Sequence, residues 1–241
     1  MSDAVSIEKV ALFRAADDAR KSAARLAALG FEAVIAPVMA PVALEAAAPR
    51  GRFDAVVTTS AKSLDLAGPA LLAPFAGVAL YVVGEAGAAA ARRRGRSVAA
   101  SAGDAAALAQ VLIAALPQDG RVLYLAGADR KPEMESALTG AGLSVATVEV
   151  YAARARSEWS AEEAGAVACC RAALHYSRRS AEIALALAGR AGIWSQWRVM
   201  AHVAISADAA EPLIASGVGR IVVAASAREE AMLSALADKS C

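Results

Sequence analysis

The sequence predicts an α/β protein of two similar lobes, each built on a doubly wound parallel sheet, joined by two linkers. Short apolar runs alternate with helical patterns along the chain, which is typical of parallel strands whose two faces are covered by helices. The order of these elements also occurs twice. A chain of 241 residues is long enough for two domains of about 110–120 residues each.

The elements follow from apolar patterning and from helix-ending residues. Gly30 and Gly95 are expected to close two of the helices, and Asp104 is expected to cap another. The expected strands are, in order, KVALFRA, FEAVIAPV, RFDAVVTT, VALYVVG, SVAAS and RVLYLAG. The expected helices between them are ADDARKSAARLAALG, SAKSLDLAGPALL, EAGAAAARRRG and GDAAALAQVLIAAL.

The second half of the chain repeats this pattern. AVVTTSAKSL resembles AALHYSRRSA, and LYVVGEAGAAAARRRG resembles HVAISADAAEPLIASG, so that Gly84 aligns with Ser206 and Gly95 with Gly217. Each copy closes with an alanine-rich helix, at 104–115 and 227–237. Two copies of one α/β unit are therefore expected.

Two stretches are expected to cross between the lobes. Residues 36–42 contain two prolines, which exclude a continuous helix, and residues 150–156 form an apolar strand that turns charged. With linkers near these positions, residues 1–38 and 155–241 form one discontinuous lobe, and residues 39–154 form the inserted lobe.

Composition excludes several classes of function. With 25 basic and 24 acidic residues the net charge is +1, so we expect neither nucleic acid nor an acidic membrane as a partner. No apolar run is long enough to span a membrane, and the first ten residues do not resemble a secretory signal, so a cytoplasmic protein is expected. His175 and His202 lie within apolar strands and are expected to be packed structural residues.

The ends of the strands are the candidate binding positions. In open α/β sheets, ligands bind outside the carboxyl ends of strands, where unpaired N–H groups of helix N-termini favour anions. Plain N-capping is the alternative for Ser60 and Ser177. No phosphate-binding glycine motif is present, which disfavours a nucleotide-using enzyme. The candidate strand ends are 58–61, 84–86, 126–128, 177–179 and 206–208.

These segments resemble the uroporphyrinogen-III synthase family in their order and spacing. The resemblance is carried by FDAVVTTSAKSL, VALYVVGEAGAAAARRRG, RVLYLAGADRKPEMESALTGAGLSVATVEVY, LHYSRRSAEIALAL and VAISADAAEPLIASG. It implies two α/β lobes joined by two linkers, facing each other across a cleft. It also implies a cofactor-independent cytoplasmic lyase that closes linear hydroxymethylbilane to uroporphyrinogen III with loss of water, binding no metal.

The resemblance also implies roles for individual residues. Tyr151 matches the family tyrosine and is the candidate catalytic residue, with packing of a strand-end tyrosine against the linker as the alternative. The family often carries a threonine in the segment matched by residues 206–209, but this sequence has none there. The contact of this segment with substrate therefore lacks that side-chain donor. The candidate substrate-binding residues are Arg14, Thr59, Ser60, Ala61, Gly84, Glu85, Ala86, Gly127, Ala128, Ser177, Arg178, Ser206 and Ala207.

A second hypothesis is a cytosolic two-lobe protein that binds a small anion without chemistry. Under the enzyme hypothesis we expect a monomer that makes transient contact with the preceding pathway enzyme. The two hypotheses are distinguished by an assay that separates type III product, in which the last ring is inverted, from the uninverted type I product that forms without an enzyme.

Overall fold

The chain, described by a computed structural model over residues 8–238, forms two compact units. The terminal unit consists of the chain up to Ala40 together with the chain from Ala155 onward, and the central unit is Pro41–Arg154. Residues 1–7 and 239–241, which the sequence analysis assigns to the discontinuous lobe, lie outside the described residues.

The strands are short apolar runs because most of them are buried on both faces. They are β1 (Lys9–Leu12), β2 (Glu32–Ile35), β3 (Met39–Ala43), β4 (Ala55–Thr58), β5 (Ala79–Val83), β6 (Ala100–Ala102), β7 (Arg121–Gly127), β8 (Ser144–Ala155), β9 (Ala172–His175), β10 (Ala201–Ala204) and β11 (Ile221–Val223).

The helices begin and end largely where the sequence places caps and glycines. Gly95 and Gly217 follow helices with positive φ angles of 66° and 76°, a backbone conformation that glycine adopts at low cost. The helices are α1 (Ala16–Ala28), α2 (Ala61–Leu66), α3 (Pro69–Leu72), α4 (Gly84–Arg93), α5 (Ala105–Ala115), α6 (Glu133–Gly140), α7 (Ala161–Ala168), α8 (Arg178–Arg190), α9 (Trp194–Val199), α10 (Ala207–Ala215) and α11 (Glu229–Ala237).

The terminal unit contains a five-stranded sheet in the order β11-β10-β9-β1-β2, and all its pairings are parallel. Helices α1 and α11 supply the apolar cluster on one face, through side chains such as Leu26 and Met232. Helices α7 to α10 supply the cluster on the other face, with Leu187 and Trp197 fully buried.

The central unit repeats this arrangement. Its strands run β8-β7-β4-β5-β6 in parallel, with β3 added at the edge beside β8. Helices α2 to α4 cover one face and α5 and α6 cover the other. The order β11-β10-β9-β1-β2 in the terminal unit corresponds strand by strand to β6-β5-β4-β7-β8 in the central unit. This equivalence confirms the predicted duplication.

Two details differ from the sequence analysis. The helix expected over SAKSLDLAGPALL is divided into α2 and α3, because Pro69 cannot continue a helix but suits the first turn of a new one. The stretches expected as linkers are largely strand. Backbone hydrogen bonds from Leu44 N to Val150 O and from Arg156 N to Val38 O, both 2.9 Å, make β3 antiparallel to β8. Pro41 is tolerated in β3 because that strand lies at a sheet edge.

Candidate active site

A cavity of about 420 Å³ lies in the central unit, outside the carboxyl ends of β4 and β7. Its volume lies within the range of small-molecule sites, about 300–1,000 Å³. Four of the predicted site residues line it together: Thr59, Ser60, Gly127 and Tyr151. The other lining residues are Asp104, Ala105, Ala106, Tyr124, Asp129, Arg130, Lys131, Glu133 and Met134.

A larger cavity, about 560 Å³, lies in the terminal unit, beside the amino ends of β1, β9 and β10. Volume alone would favour it. The smaller cavity is the stronger candidate site, because ligands of open α/β sheets bind at the carboxyl ends of strands. The smaller cavity also holds the hydroxyl groups that acid–base chemistry requires.

Tyr151 reaches the cavity through an irregularity in β8. The register of β7 and β8 shifts between Ala126, which pairs with Glu149, and Gly127, which pairs with Tyr151. Val150 is the extra residue of this bulge, and its side chain is fully buried. A bulge bends a strand and re-aims the side chain that follows it. Here the shift sets Tyr151 directly opposite Gly127.

Gly127 leaves room for the tyrosine ring. A Cβ atom at this position would lie 2.6 Å from Cζ and 2.8 Å from the hydroxyl oxygen of Tyr151, closer than van der Waals contact permits. The ring therefore lies directly on the Gly127 backbone. On the other side, the Ala128 amide donates a 2.8 Å hydrogen bond to the Tyr151 carbonyl oxygen. The absence of a side chain at Gly127 thus determines where the phenol sits.

A second phenol, that of Tyr124, lines the same cavity. Its hydroxyl group lies 3.0 Å from the Thr59 hydroxyl, which follows the neighbouring strand β4. Burial raises the pKa of Tyr124, and the nearby Glu135 carboxylate adds to the rise, while the hydrogen bond with Thr59 opposes it. Tyr124 is therefore a neutral hydrogen-bonding group at ordinary pH.

The Thr58–Ser60 turn sets the direction of the chain as it leaves β4. The buried Thr58 hydroxyl donates to the Ser60 carbonyl at 3.0 Å and accepts from the Ser60 amide at 3.2 Å. Ser60 occupies the N-cap position of α2, but its side chain makes no cap hydrogen bond. The N-capping alternative therefore does not describe its hydroxyl, and Ser60 lines the cavity instead.

The remaining predicted residues of the central unit do not line the cavity. Ala61 begins α2, and Gly84, Glu85 and Ala86 form the first turn of α4 at the end of β5. The Glu85 carboxylate pairs with Arg92 on the same helix. These positions share the carboxyl edge of the sheet with the cavity, and what they offer there is backbone N–H groups.

In the terminal unit, Ser177 and Ser206 act as N-caps. Ser177 accepts a hydrogen bond from the Ser180 amide at 3.2 Å and Ser206 accepts one from the Ala209 amide at 3.3 Å, so α8 and α10 begin with capped termini. Ala207, which follows, is the first residue of α10. The Ser177 hydroxyl therefore caps α8, as the N-capping alternative predicted.

Arg178 is surrounded by carboxylates of its own unit. Its guanidinium pairs with Glu182 at 3.1 Å, with Asp208 at 3.5 Å and with Glu211. Hydrogen bonds to Glu182 and the charge of Glu211 raise the pKa of Arg178. Asp208, at one of the predicted strand ends, is one member of this surface cluster.

Arg14 belongs to a second carboxylate network, centred on Glu229. Its guanidinium donates to Glu229 Oε1 at 3.2 Å and lies over the ring of Tyr176, 4.1 Å from the centroid. Burial raises the pKa of Glu229, but hydrogen bonds from Ser22 and Tyr176 and the charges of Arg14 and Arg25 outweigh it. The pKa of Glu229 therefore lies below its usual value.

The repeat makes this network informative. Tyr176 of AALHYSRRSA aligns with Thr59 of AVVTTSAKSL. In the terminal unit that position hydrogen-bonds to Glu229 at 2.6 Å, whereas in the central unit it borders the cavity. The two copies have thus diverged: side chains fill this place in one and leave it open in the other.

His175 and His202 form a buried pair, as the sequence analysis expected of packed structural residues. His175 Nε2 lies 3.0 Å from His202 Nδ1, and His202 Nε2 lies 2.9 Å from the Trp197 carbonyl oxygen. Phe13 and Trp197 pack against the His175 ring. Burial lowers the pKa of both histidines, that of His202 to about 4.

The sequence analysis missed Tyr124, Asp104, Arg130 and their neighbours as cavity residues. Tyr124 lies within an apolar strand, where a tyrosine indicates a core position, and its hydroxyl meets Thr59 only because β4 and β7 are adjacent. The charged segment Asp129–Lys131 begins two residues after the end of β7. Its place just after a strand was the sequence signal that could have identified these residues as lining the cavity.

The fold and this cavity define a class of protein: a two-unit α/β protein with a hydroxyl-lined cavity at a carboxyl sheet edge. A family model described as Uroporphyrinogen-III synthase HemD matches residues 20–234, and the chain belongs to this family of cyclising enzymes in tetrapyrrole synthesis. This membership does not favour the alternative of a small-anion binding protein. No curated protein matched the sequence.

Solved structures of the same kind resemble the chain at low identity. The uroporphyrinogen-III synthetase from Helicobacter pylori is 15% identical, with 95% of this chain and 98% of that chain covered and a TM-score of 0.49. The wild-type uroporphyrinogen III synthase from the extremely thermophilic bacterium Thermus thermophilus is 19% identical, with 97% of each chain covered and a TM-score of 0.41. Within residues 8–238, no helix has the length and apolar character needed to cross a membrane.

Proposed function

We propose that this chain is a lyase that closes hydroxymethylbilane to uroporphyrinogen III, inverting the last pyrrole ring and releasing water. The observation that carries the proposal is the cavity of the central unit, where Tyr151, Thr59, Ser60 and Gly127 converge within a member of the synthase family. The cavity lies toward the lower end of small-molecule sites in volume, a size that suits one end of the four-ring chain rather than the whole of it.

Tyr151 is the proposed catalytic residue. Its phenol donates a hydrogen bond or a proton to the hydroxyl that leaves the bilane, so that the oxygen departs as water and an azafulvenium cation remains. The last ring then attacks this carbon through its own substituted carbon and forms a spiro intermediate. Cleavage of the bond to the neighbouring ring and reclosure at the other position complete the inversion. Loss of a proton then restores the pyrrole and returns a proton to the group that protonated the leaving hydroxyl.

Control of shape is the larger part of the proposed task, because the bilane closes without inversion when it is unguided. Holding two reacting ends together contributes roughly 7–11 kcal/mol in favourable cases. The substrate carries eight carboxylates, and backbone N–H groups at helix starts suit such anions. We propose that carboxylates bind the N–H groups of residues Ala61, Gly84, Glu85, Ala86, Ser177, Arg178, Ser206 and Ala207. The Ala128 amide, also predicted to bind substrate, donates to the Tyr151 carbonyl oxygen instead.

The side chains of Arg14 and Arg178 stay predictions as substrate ligands. Each guanidinium would have to exchange a carboxylate of the protein for a carboxylate of the substrate. A cytoplasmic location, a monomeric state, independence of cofactors and a transient contact with the enzyme that makes the bilane also stay predictions.

The test supplies freshly generated hydroxymethylbilane and separates the type I and type III products chromatographically. We expect type III product from the wild-type chain and a lower kcat for Tyr151→Phe at unchanged stability. Tyr81→Phe is the matched control, because Tyr81 is a buried tyrosine of the same sheet that does not line the cavity. Type I product alone, formed at the uncatalysed rate, would reject the proposed function. An unchanged rate for Tyr151→Phe would reject only the role of the tyrosine.

A further inference from the structure

The side chain of Arg130 lies at the register shift between β7 and β8. Its guanidinium donates to the Gly127 carbonyl at 3.2 Å, to Glu149 Oε1 at 2.8 Å and to Glu135 Oε1 at 2.8 Å. About a quarter of the side-chain surface, 26%, is exposed. Three acceptors on three different elements therefore share one planar group, which a guanidinium serves better than any other side chain.

Two of these acceptors, Gly127 and Glu149, lie at the bulge. Gly127 is the pairing partner of Tyr151, and Glu149 immediately precedes the inserted Val150. The guanidinium thus joins the last residue of β7 to the residue of β8 at which the register changes. On the other side of the shift, the amide of Ala128 binds the Tyr151 carbonyl oxygen. Arg130 and Ala128 hold the irregular pairing from both ends.

The third acceptor, Glu135, is itself held in place. It accepts a 3.0 Å hydrogen bond from the Thr147 hydroxyl on β8, so the carboxylate connects helix α6 to the same strand. Arg130 is thereby paired with a carboxylate that is also hydrogen-bonded to β8. Charge-assisted hydrogen bonds of this kind are stronger and shorter than neutral ones.

The bulge matters because strand side chains alternate between faces. A shift of register by one residue sends every following side chain to the opposite face. Without the bulge, Val150 would lie opposite Gly127 and Tyr151 would leave its place over the glycine. The burial of Val150 favours the observed register, and the Arg130 contacts connect it directly to the cavity that Arg130 lines.

We propose that Arg130 is a positioning residue, which holds the bulge of β8 and thereby aims the Tyr151 phenol at the substrate. The inference rests on the proposed function, since it concerns the same reaction. It assigns Arg130 no contact with the reacting atoms. What the arginine maintains is the geometry of Tyr151 over Gly127, and both carboxylates act through the guanidinium.

The experiment compares Arg130→Met, Arg130→Lys and Glu149→Gln with the wild-type chain, using the product assay and amide hydrogen exchange. For Arg130→Met we expect kcat to fall about tenfold or more with KM within about threefold, because a misplaced catalytic group affects the chemical step more than binding. Exchange of the Ala128 amide is expected to accelerate about tenfold or more, since its hydrogen bond spans the loosened bulge. Glu149→Gln, which keeps the shape of the side chain, is expected to show the same changes to a smaller extent.

Arg93→Met is the matched control. One guanidinium nitrogen of Arg93 donates to both carboxylate oxygens of Asp65, each at 2.8 Å, on the surface of the same unit. It should change neither kcat nor exchange at Ala128. Arg130→Lys keeps the charge but not the fork of donors, so it should resemble Arg130→Met in both readouts.

The outcomes separate this inference from the proposed function. Wild-type chain that yields only type I product overturns the proposed function, and the positioning role is then rejected with it. Wild-type activity that depends on Tyr151 but persists in Arg130→Met overturns the inference alone. Faster exchange at Ala128 without any loss of kcat also overturns it, because the arginine would then stabilise the bulge without serving the reaction.

Discussion

Replacing Gly127 with alanine tests whether the position of the Tyr151 ring governs turnover. The added Cβ would lie 2.6 Å from Cζ of Tyr151, whereas carbon atoms in contact are about 3.5–4.0 Å apart. The ring must therefore retreat by about 1 Å. The clashing atoms are at the far end of a side chain, so the ring moves and the backbone of β7 stays in place.

The expected magnitude follows from this displacement. A misplacement of about 1 Å at a reacting centre costs about 100-fold in rate, which corresponds to about 3 kcal/mol of transition-state stabilisation. The free energy of unfolding should change little. Gly→Ala at a compatible backbone position stabilises a protein by about 0.4–1 kcal/mol, and this gain offsets the local strain of moving the ring. We thus expect a folded protein with a kcat lower by about two orders of magnitude.

The assay measures kcat for type III product in wild type, Gly127→Ala, Tyr151→Phe and the double variant. If alanine acts by displacing the phenol, it should add little further loss in the Tyr151→Phe background. Gly140→Ala is the control, because a Cβ there meets no atom within 4 Å. Wild-type kcat in Gly127→Ala would refute the reasoning, and so would an equal loss in both backgrounds.

Two further predictions concern stability. The lowered pKa values of His175 and His202 mean that the unfolded chain binds protons that the folded chain excludes. The free energy of unfolding is therefore not reduced by these histidines above the unfolded pKa of about 6.5, and it falls as the pH decreases toward 4. From His202 alone, urea unfolding should give about 2 kcal/mol less stability at pH 5 than at pH 7; equal values would contradict a buried neutral pair. Ser160→Ala should cost about 1 kcal/mol, because Ser160 and Glu163 form a reciprocal capping box at the start of α7. Ser60→Ala is its control, since Ser60 occupies an N-cap position without a cap bond and should lower stability by much less. Similar losses in the two variants would show that the capping hydrogen bond is not the cause.

The fold was predictable because its signals are local and repeated. Continuous apolar runs such as Ala55–Thr58 and Ala172–His175 indicate strands buried on both faces, and both are entirely buried. The duplicated order of elements predicted two copies of one α/β unit, and the chain forms two sheets whose strand orders are equivalent. Ser177 acts as a cap where a serine precedes a helical pattern.

The site was predictable only in part, because its geometry depends on contacts between distant segments. Thr59 meets Tyr124 across 65 residues of sequence, and no pattern within either segment announces that contact. Arg14 matches the family in sequence, yet its guanidinium binds Glu229, which lies 215 residues further along the chain. The partner of a charged side chain is a tertiary property, so the availability of an arginine for substrate cannot be judged from its position in a motif.

The amino-acid sequence by itself determined the alternation of strands and helices, their duplication and the strand ends at which a ligand could bind. These depend on hydrophobic periodicity and on caps, which act over a few residues. Only the tertiary structure decided that the cavity opens in the central unit, that a bulge at Val150 aims Tyr151 over Gly127, and that Arg130 holds this bulge. The physical reason is that register and ion pairing are chosen by the packing of segments far apart in the chain, where one inserted residue reverses the direction of every side chain after it.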